Sequence, residues 1–274
     1  MNLSYNLILA ATLGTVSALA QVPFDGAPVT LDFDSTRPGV LEGAYDGSGL
    51  QSLPATGQLD SNAWAVDGLS DGALGFGESG TSGDYARGTS DGGTSTGGLY
   101  AFRVGGTGDV GLGFQPINGD LTPGSITLRI QNITGSQLET LTVSYEVHVW
   151  NDQDRANSLN FSYSTDGISF TPVAALDYTS PEAADATPVW TLADRQTTLF
   201  NLAIANGAQL ELRWSTDDVS GSGSRDEFAL DDIHLAAPVP EPAHAALAVA
   251  VLLGGWTGVR RRLGQSGGRS GQVF

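Results

Sequence analysis

The chain has no cysteine and no lysine, and only three histidines, in 274 residues. Without cysteine there is no disulfide, thiol nucleophile or thiolate metal site, so burial of apolar surface has to supply the stability. Without lysine there is no Schiff-base chemistry. His148, His234 and His244 are the whole imidazole complement, which leaves carboxylates and hydroxyls as the main candidates for acid–base work. Positive charge is scarce as well. Between Gln21 and Val239, 29 acidic residues face eight arginines, a formal charge of −21. Such a body repels nucleic acid, so no nucleic-acid partner is expected. It stays soluble outside the cell and favours divalent cations.

What is present is a pattern of period two. Ile126, Leu128 and Ile130 alternate with Thr127, Arg129 and Gln131, and Leu141, Val143, Tyr145, Val147 and Val149 alternate with polar neighbours. Leu159, Phe161 and Tyr163 repeat the pattern, as do Leu210, Leu212 and Trp214. These are half-buried strands, separated by turns at Asn132–Leu138, Thr165–Gly167 and Asn206–Gly207. No amphipathic helix interrupts them. The glycine-rich stretch from Gly68 to Gly113 carries Trp64, Phe76, Tyr85, Leu99, Tyr100 and Phe102 in or beside it, so it reads as loops between short strands rather than disorder. The predicted fold is all-β: one antiparallel β-sandwich, jelly-roll-like, over residues 21–237.

Three motifs in this stretch lack the context that would give them chemistry. Gly88–Gly92 and Gly93–Gly97 match G-x-S-x-G but have no following helix, which a nucleophile elbow requires. Gly106–Gly111 matches the dinucleotide fingerprint, yet Gly113, Pro116 and Gly119 preclude the helix that would bind pyrophosphate. It reads as a turn, and no catalytic residue is assigned.

The two ends of the chain read as addresses. Leu7–Leu13 is apolar and Ala18-Leu19-Ala20 has small residues at the spacing of a cleavage site, so residues 1–20 read as a secretory signal peptide. At the other end stand Val239, Pro240, Glu241 and Pro242, then the uncharged stretch Ala243–Val259, then Arg260, Arg261 and Arg262. The prolines keep residues 238–242 extended. The 17-residue stretch 243–259 would reach about 25 Å as a helix, enough to span a thin hydrocarbon core. The arginines hold residues 260–274 on the cytoplasmic side, leaving the body outside. In this order the three features resemble the PEP-CTERM sorting segment of Gram-negative bacteria. The resemblance implies an exosortase as processing partner, with the tail removed or exchanged. An inner-membrane-anchored precursor would then give a mature form at the cell surface or outside the cell. The sequence departs from the family in continuing past the arginines, from Leu263 to Phe274.

The body opens with Leu31-Asp32-Phe33-Asp34 and closes with Ala229-Leu230-Asp231-Asp232-Ile233. If these strands lie together, their carboxylates form an oxygen-rich cluster suited to Ca²⁺. An opening and closing of this kind resembles MAM domains and calcium-containing jelly-roll carbohydrate-binding modules, although MAM domains carry cysteines. The resemblance implies a structural calcium ion, with Asp34 and Asp232 as preferred ligands and Asp32 and Asp231 as alternatives. The plainer reading is carboxylates at strand ends. Asp152-Gln153-Asp154 and the pair Asp217 and Asp218 are second-rank oxygen clusters. On the strand from Thr142 to Trp150, alternation places Glu146, His148 and Trp150 on the polar face. An aromatic ring beside hydrogen-bonding groups suits a sugar, and core packing of Trp150 is the alternative. Together these readings point to an exported, non-enzymatic surface or matrix protein that contacts exopolysaccharide or envelope glycan. The other reading is a carboxylate-dependent glycoside hydrolase or lyase.

Overall fold

The computed structural model describes residues 22–35, 41–42, 44–106 and 108–237. The expected signal peptide at 1–20, and the sorting motif, span and basic tail at 238–274, lie outside the described residues. Among the described residues no helix is long and apolar enough to cross a membrane.

In chain order the strands are β1 (Val22–Phe24), β2 (Val29–Leu31), β3 (Leu41–Glu42), β4 (Leu50–Gln51), β5 (Gln58–Asp60) and β6 (Trp64–Asp67). Next come β7 (Thr89–Ser90), β8 (Gly98–Arg103), β9 (Val110–Gln115), β10 (Gly124–Asn132), β11 (Leu138–Trp150) and β12 (Arg155–Ser164). The last are β13 (Thr171–Pro172), β14 (Tyr178–Thr179), β15 (Trp190–Ile204), β16 (Gln209–Gly221) and β17 (Glu227–Ala236). Helix among the described residues is limited to two short 3-10 turns, Gly83–Tyr85 and Ala174–Leu176.

Two seven-stranded sheets carry the body. One runs β1-β10-β16-β12-β13, with β14 on β12 and β6 on β10; the other runs β15-β11-β17-β9-β8-β7, with β2 on β17. Most pairs are antiparallel, the parallel exceptions being β1 with β10, β4 with β5 and β7 with β8. A three-stranded sheet, β3-β5-β4, stands beside them. The alternation read in the sequence explains the stacking. Leu141, Val143, Tyr145, Val147 and Val149 of β11 are buried against Leu128, Leu159, Phe161, Leu212 and Trp214 of the opposite sheet, in one apolar core. Trp214 is fully buried, with its ring centroid 5.5 Å from both Tyr145 and Phe161 and 6.4 Å from Trp64. Each such side chain contributes about 2–3 kcal/mol by leaving water.

β15, 15 residues long, carries no legible alternation in the sequence. It is an edge strand, and of its inward positions from Thr191 to Leu199, Thr191, Arg195 and Thr197 are polar while only Ala193 and Leu199 are apolar, so the alternation is broken over its first half. β16 continues past Trp214, the last of the alternating apolar residues, through Asp217 and Asp218 to Gly221.

Candidate functional site

The outer face of the second sheet, turned away from the core, holds the polar residues. The β11–β15 register places Ser144 opposite Gln196, Glu146 opposite Asp194, His148 opposite Leu192 and Trp150 opposite Trp190. On the other side of β11, β17 places His234 opposite Ser144 and Asp231 opposite Glu146. A polar hollow of about 410 Å³ opens here, lined among others by Thr30, Ser144, Glu146, Asp194, Asp232 and His234. His234 Nδ1 lies 3.0 Å from Thr30 Oγ1 and His148 Nε2 lies 3.1 Å from Glu146 Oε2, so both imidazoles are held by neighbours.

The outward positions of β15 beyond the lining of this hollow carry apolar groups. Trp190 and Leu192 stand at one end and Phe200 at the other, with Asp194, Gln196 and Thr198 between. Leu192 and Phe200 are 53% and 62% exposed, a surface position that folding does not require of large apolar residues.

The residues expected to meet a glycan are thus on one face, but in unequal positions. Glu146 and Trp150 are half-buried, whereas His148 is buried. Trp150 lies 5.5 Å, centroid to centroid, from Trp190, and Gly92 packs against its ring. The row continues from Trp190 to Phe102 at 5.0 Å and from Phe102 to Tyr100 at 5.1 Å. The segment Asp91–Thr96 covers part of it. Trp190 Nε1 donates to the Asp91 carbonyl at 2.9 Å and the Tyr100 hydroxyl to the Thr96 carbonyl at 2.8 Å. Trp190 had no signal in the sequence, because the ring belongs to the strand that alternation does not reveal, and the loop was marked only by the two G-x-S-x-G matches. Ser90 of Gly88–Gly92 sits in β7, and no α-helix follows either G-x-S-x-G match.

The opening and closing segments do lie together. β2 pairs with β17 through Leu31 and Ile233, while β9 pairs with the same edge of β17 through Leu112 and Leu230. Asp231 and Asp232 fall in the gap between these partners, and Asp232 takes a positive φ of 44° at the irregularity. Val110 N–H donates to Asp34 Oδ1 at 2.7 Å, and the Asp232 N–H donates to Asp231 Oδ1 at 2.7 Å. Asp32 accepts from the Asp34 and Ser35 backbone and the Ser35 hydroxyl. Burial, then the charges of Asp232, Asp109 and Asp34, push the Asp231 carboxyl up to about 9. Burial raises Asp34 and Asp232 too, reinforced by Asp32 and Asp109. Asp109 is the member that sequence reasoning passed over, hidden in the turn Gly106–Gly111.

For a calcium ion the fit at this patch is poor. Asp32, Asp34 and Asp231 each accept from a backbone N–H, and none of the patch's oxygens is both buried and without a partner. Among the described residues no three His, Asp or Glu side chains are gathered into a set that would hold a metal ion as they stand. Of the second-rank clusters, Asp218 is committed to Arg155 and Arg225, whereas Asp152 lies near two buried acids, Asp226 and Glu227.

No family model matches the chain, and no curated protein matches it. Among solved structures it is similar to the K1 cleaved adhesin domain of Lys-gingipain from Porphyromonas gingivalis W83, at 13% identity, 78% of this chain, all of that one and a TM-score of 0.39. It is also similar to CBM28, a carbohydrate-binding module specific for non-crystalline cellulose, at 10% identity, 72% of this chain, 97% of that one and a TM-score of 0.35. A third is TmCBM61 in complex with β-1,4-galactotriose, at 12% identity, 48% of this chain, 73% of that one and a TM-score of 0.27. At these scores the likeness carries no argument about activity.

Proposed function

We propose that the chain is an exported, non-enzymatic surface or matrix protein of jelly-roll type whose second sheet binds glycan on its outer face. The observation that supports glycan binding is a polar hollow on the same sheet face where β15 presents Trp190 and Leu192 before Asp194 and Phe200 after Gln196, apolar groups that lie outside the lining of the hollow itself. Sugars need this combination: rings or aliphatic groups against their C–H faces and side chains that orient their hydroxyls. Glu146, Asp194 and Asp232 outnumber Arg195 in the lining, so the hollow is acidic on balance, which disfavours anionic polysaccharide. The ligand is therefore a neutral or amino-sugar glycan of the envelope or exopolysaccharide.

The carboxyls with the highest proton affinity, Glu227 and Asp231, are 0% and 3% exposed. A substrate in the hollow would reach neither of them but would meet Asp232, whose proton affinity burial also raises, so glycan cleavage is the readout that separates binding from hydrolysis. Binding of a neutral glycan panel to the folded full-length chain, weakened at least tenfold by Trp190→Ala and by Asp194→Asn, is the expected result. A folded chain that binds none would leave a purely structural surface protein, and chain cleavage during the assay would favour the hydrolase or lyase.

Export and sorting belong to the same proposal and rest on the Val239–Arg262 resemblance. The exosortase would act on the tail, anchored in the inner membrane until processed. Intact mass and fractionation with and without the processing enzyme test it. A tail retained in the inner membrane would overturn it.

A further inference from the structure

Glu227 and Asp226 are fully buried; Glu227 Oε2 has no hydrogen-bond partner, and Asp226 Oδ2 has none in good geometry, although the Ser180 hydroxyl and the Asp152 N–H lie close enough to the carboxylate to favour its charged form. Two residues of the β11–β12 loop share this condition. Asn151 is buried with Oδ1 unpartnered, and Asp152 is half-buried with an unpartnered, inaccessible Oδ1. The segments are adjacent. Trp150 pairs with Glu227 across the β11–β17 ladder, and Gln153 N–H donates to Asp226 Oδ1 at 3.1 Å. The charge of Asp152 acts on both buried acids, after burial itself, to raise their proton affinity.

The remaining atoms of these side chains are used. Asn151 Nδ2 donates to the Ala183 carbonyl at 2.9 Å, which fixes the amide with its oxygen free, and Thr94 N–H donates to Glu227 Oε1. The nearby arginines do not relieve the acids, because Arg155 and Arg225 both direct their guanidinium groups at Asp218. Oxygens removed from water and left unpaired are costly, and negatively charged ones more so.

We propose that Asn151, Asp152, Asp226 and Glu227 form a calcium site, distinct from the Asp32–Asp34–Asp231–Asp232 patch. The difference between the two lies in the unspent oxygens: none of the residues of the Asp32–Asp232 patch has a buried unpartnered oxygen, whereas all four residues here do. The donor set is an amide oxygen with carboxylates, completed by main-chain carbonyls or water, and no three carboxylates already converge on one point. Hard oxygen donors in irregular geometry suit Ca²⁺ over Mg²⁺, which demands a near-ideal octahedron, and over metals that prefer nitrogen or sulfur. The ion would tie the start of β17 to the β11–β12 loop and, through Thr94, to the loop over the aromatic row.

The test uses the full-length chain stripped with a chelator and titrated with Tb³⁺ and then Ca²⁺. Trp150, next in sequence to Asn151, should sensitise terbium emission, Ca²⁺ should displace it, and Ca²⁺ should raise the Tm. Glu227→Gln keeps the side-chain volume and puts a neutral amide where the carboxyl stood, so it should stay folded by circular dichroism while losing at least tenfold in Ca²⁺ affinity. Asp34→Asn with Asp231→Asn should retain the wild-type response. A folded, stripped chain without terbium or Ca²⁺ response would overturn the proposal. So would a response that survives Glu227→Gln, or one lost only in the Asp34 and Asp231 variant.

Discussion

Asp218 accepts from Arg225 at both carboxylate oxygens, Nε at 2.8 Å and Nη2 at 2.7 Å, while Arg155 reaches the same side chain from the neighbouring strand. The pairing closes the β16–β17 connection onto β12, and the two guanidinium groups hold the Asp218 carboxyl below the usual carboxylate range. The arginine side chains are 10% and 17% exposed, Asp218 35%. Asp218→Asn would leave two largely buried cations without their counter-charge, a cost of about 1–3 kcal/mol. Solvent screening at Asp218 places the effect toward the lower end. Urea denaturation of the variant should show a lower midpoint at unchanged slope, and a midpoint equal to wild type would show the pair to be energetically idle.

Acid should destabilise the fold through carboxyls of this kind. The Asp166 carboxyl is pushed to about 2, chiefly by the Ser169 and Ile168 N–H groups, each 2.8 Å from Oδ1, and then by the Ser164 hydroxyl. Burial alone would raise Asp84, but the Ser70 hydroxyl, the Asp71 N–H and Arg87 outweigh it and its carboxyl is lowered. With folded values below the unfolded value of about 3.9, the unfolded chain takes the proton first. The stability contributed by Asp84, Asp166 and Asp218 is therefore full above about pH 4 and is lost as pH falls toward about 2. The Tm should drop through that window, and Asp166→Asn should shallow the drop while lowering the plateau above it. An unchanged slope in the variant would remove Asp166 from the account.

The first sheet was legible because its strands are buried on one face only, so that Ile126, Leu128 and Ile130, or Leu210, Leu212 and Trp214, alternate with polar residues. The same logic revealed the inner face of β11 and hence the outer positions of Glu146, His148 and Trp150. What it could not reveal depends on the partner strand. β15 has polar residues on both faces over much of its length, so neither its existence nor Trp190 beside Trp150 follows from periodicity. Asp109 joined the acidic patch only because β9 and β2 meet the same edge of β17. Asp226 and Glu227 stand just before the closing segment Ala229–Ile233 and carry no motif of their own. Their burial depends on where the β11–β12 loop and residues 91–96 fold, a tertiary relation with no local signature.

The loop from Asp91 to Thr96 depends on Gly92 for its path. Gly92 has φ +106°, a conformation L side chains rarely adopt, and a Cβ there would lie 2.7 Å from the Trp150 ring. Gly92→Ala is expected to cost about 1–3 kcal/mol in backbone strain alone, and the collision with Trp150 adds to it. Gly135→Ala provides the comparison, since Gly135 also has a positive φ, +81°, but its Cβ would meet nothing within 4 Å. The two variants should share the strain, and only Gly92→Ala should displace the loop from the aromatic row. Tryptophan emission should then shift to longer wavelength as water reaches Trp150 and Trp190, with a larger fall in Tm than in Gly135→Ala. Equal Tm losses and unchanged emission would mean that the loop does not depend on its contact with Trp150. Because Thr94 in the same loop donates to Glu227, Gly92→Ala should also weaken any Ca²⁺ response at the Asn151–Glu227 oxygens without altering one of their side chains.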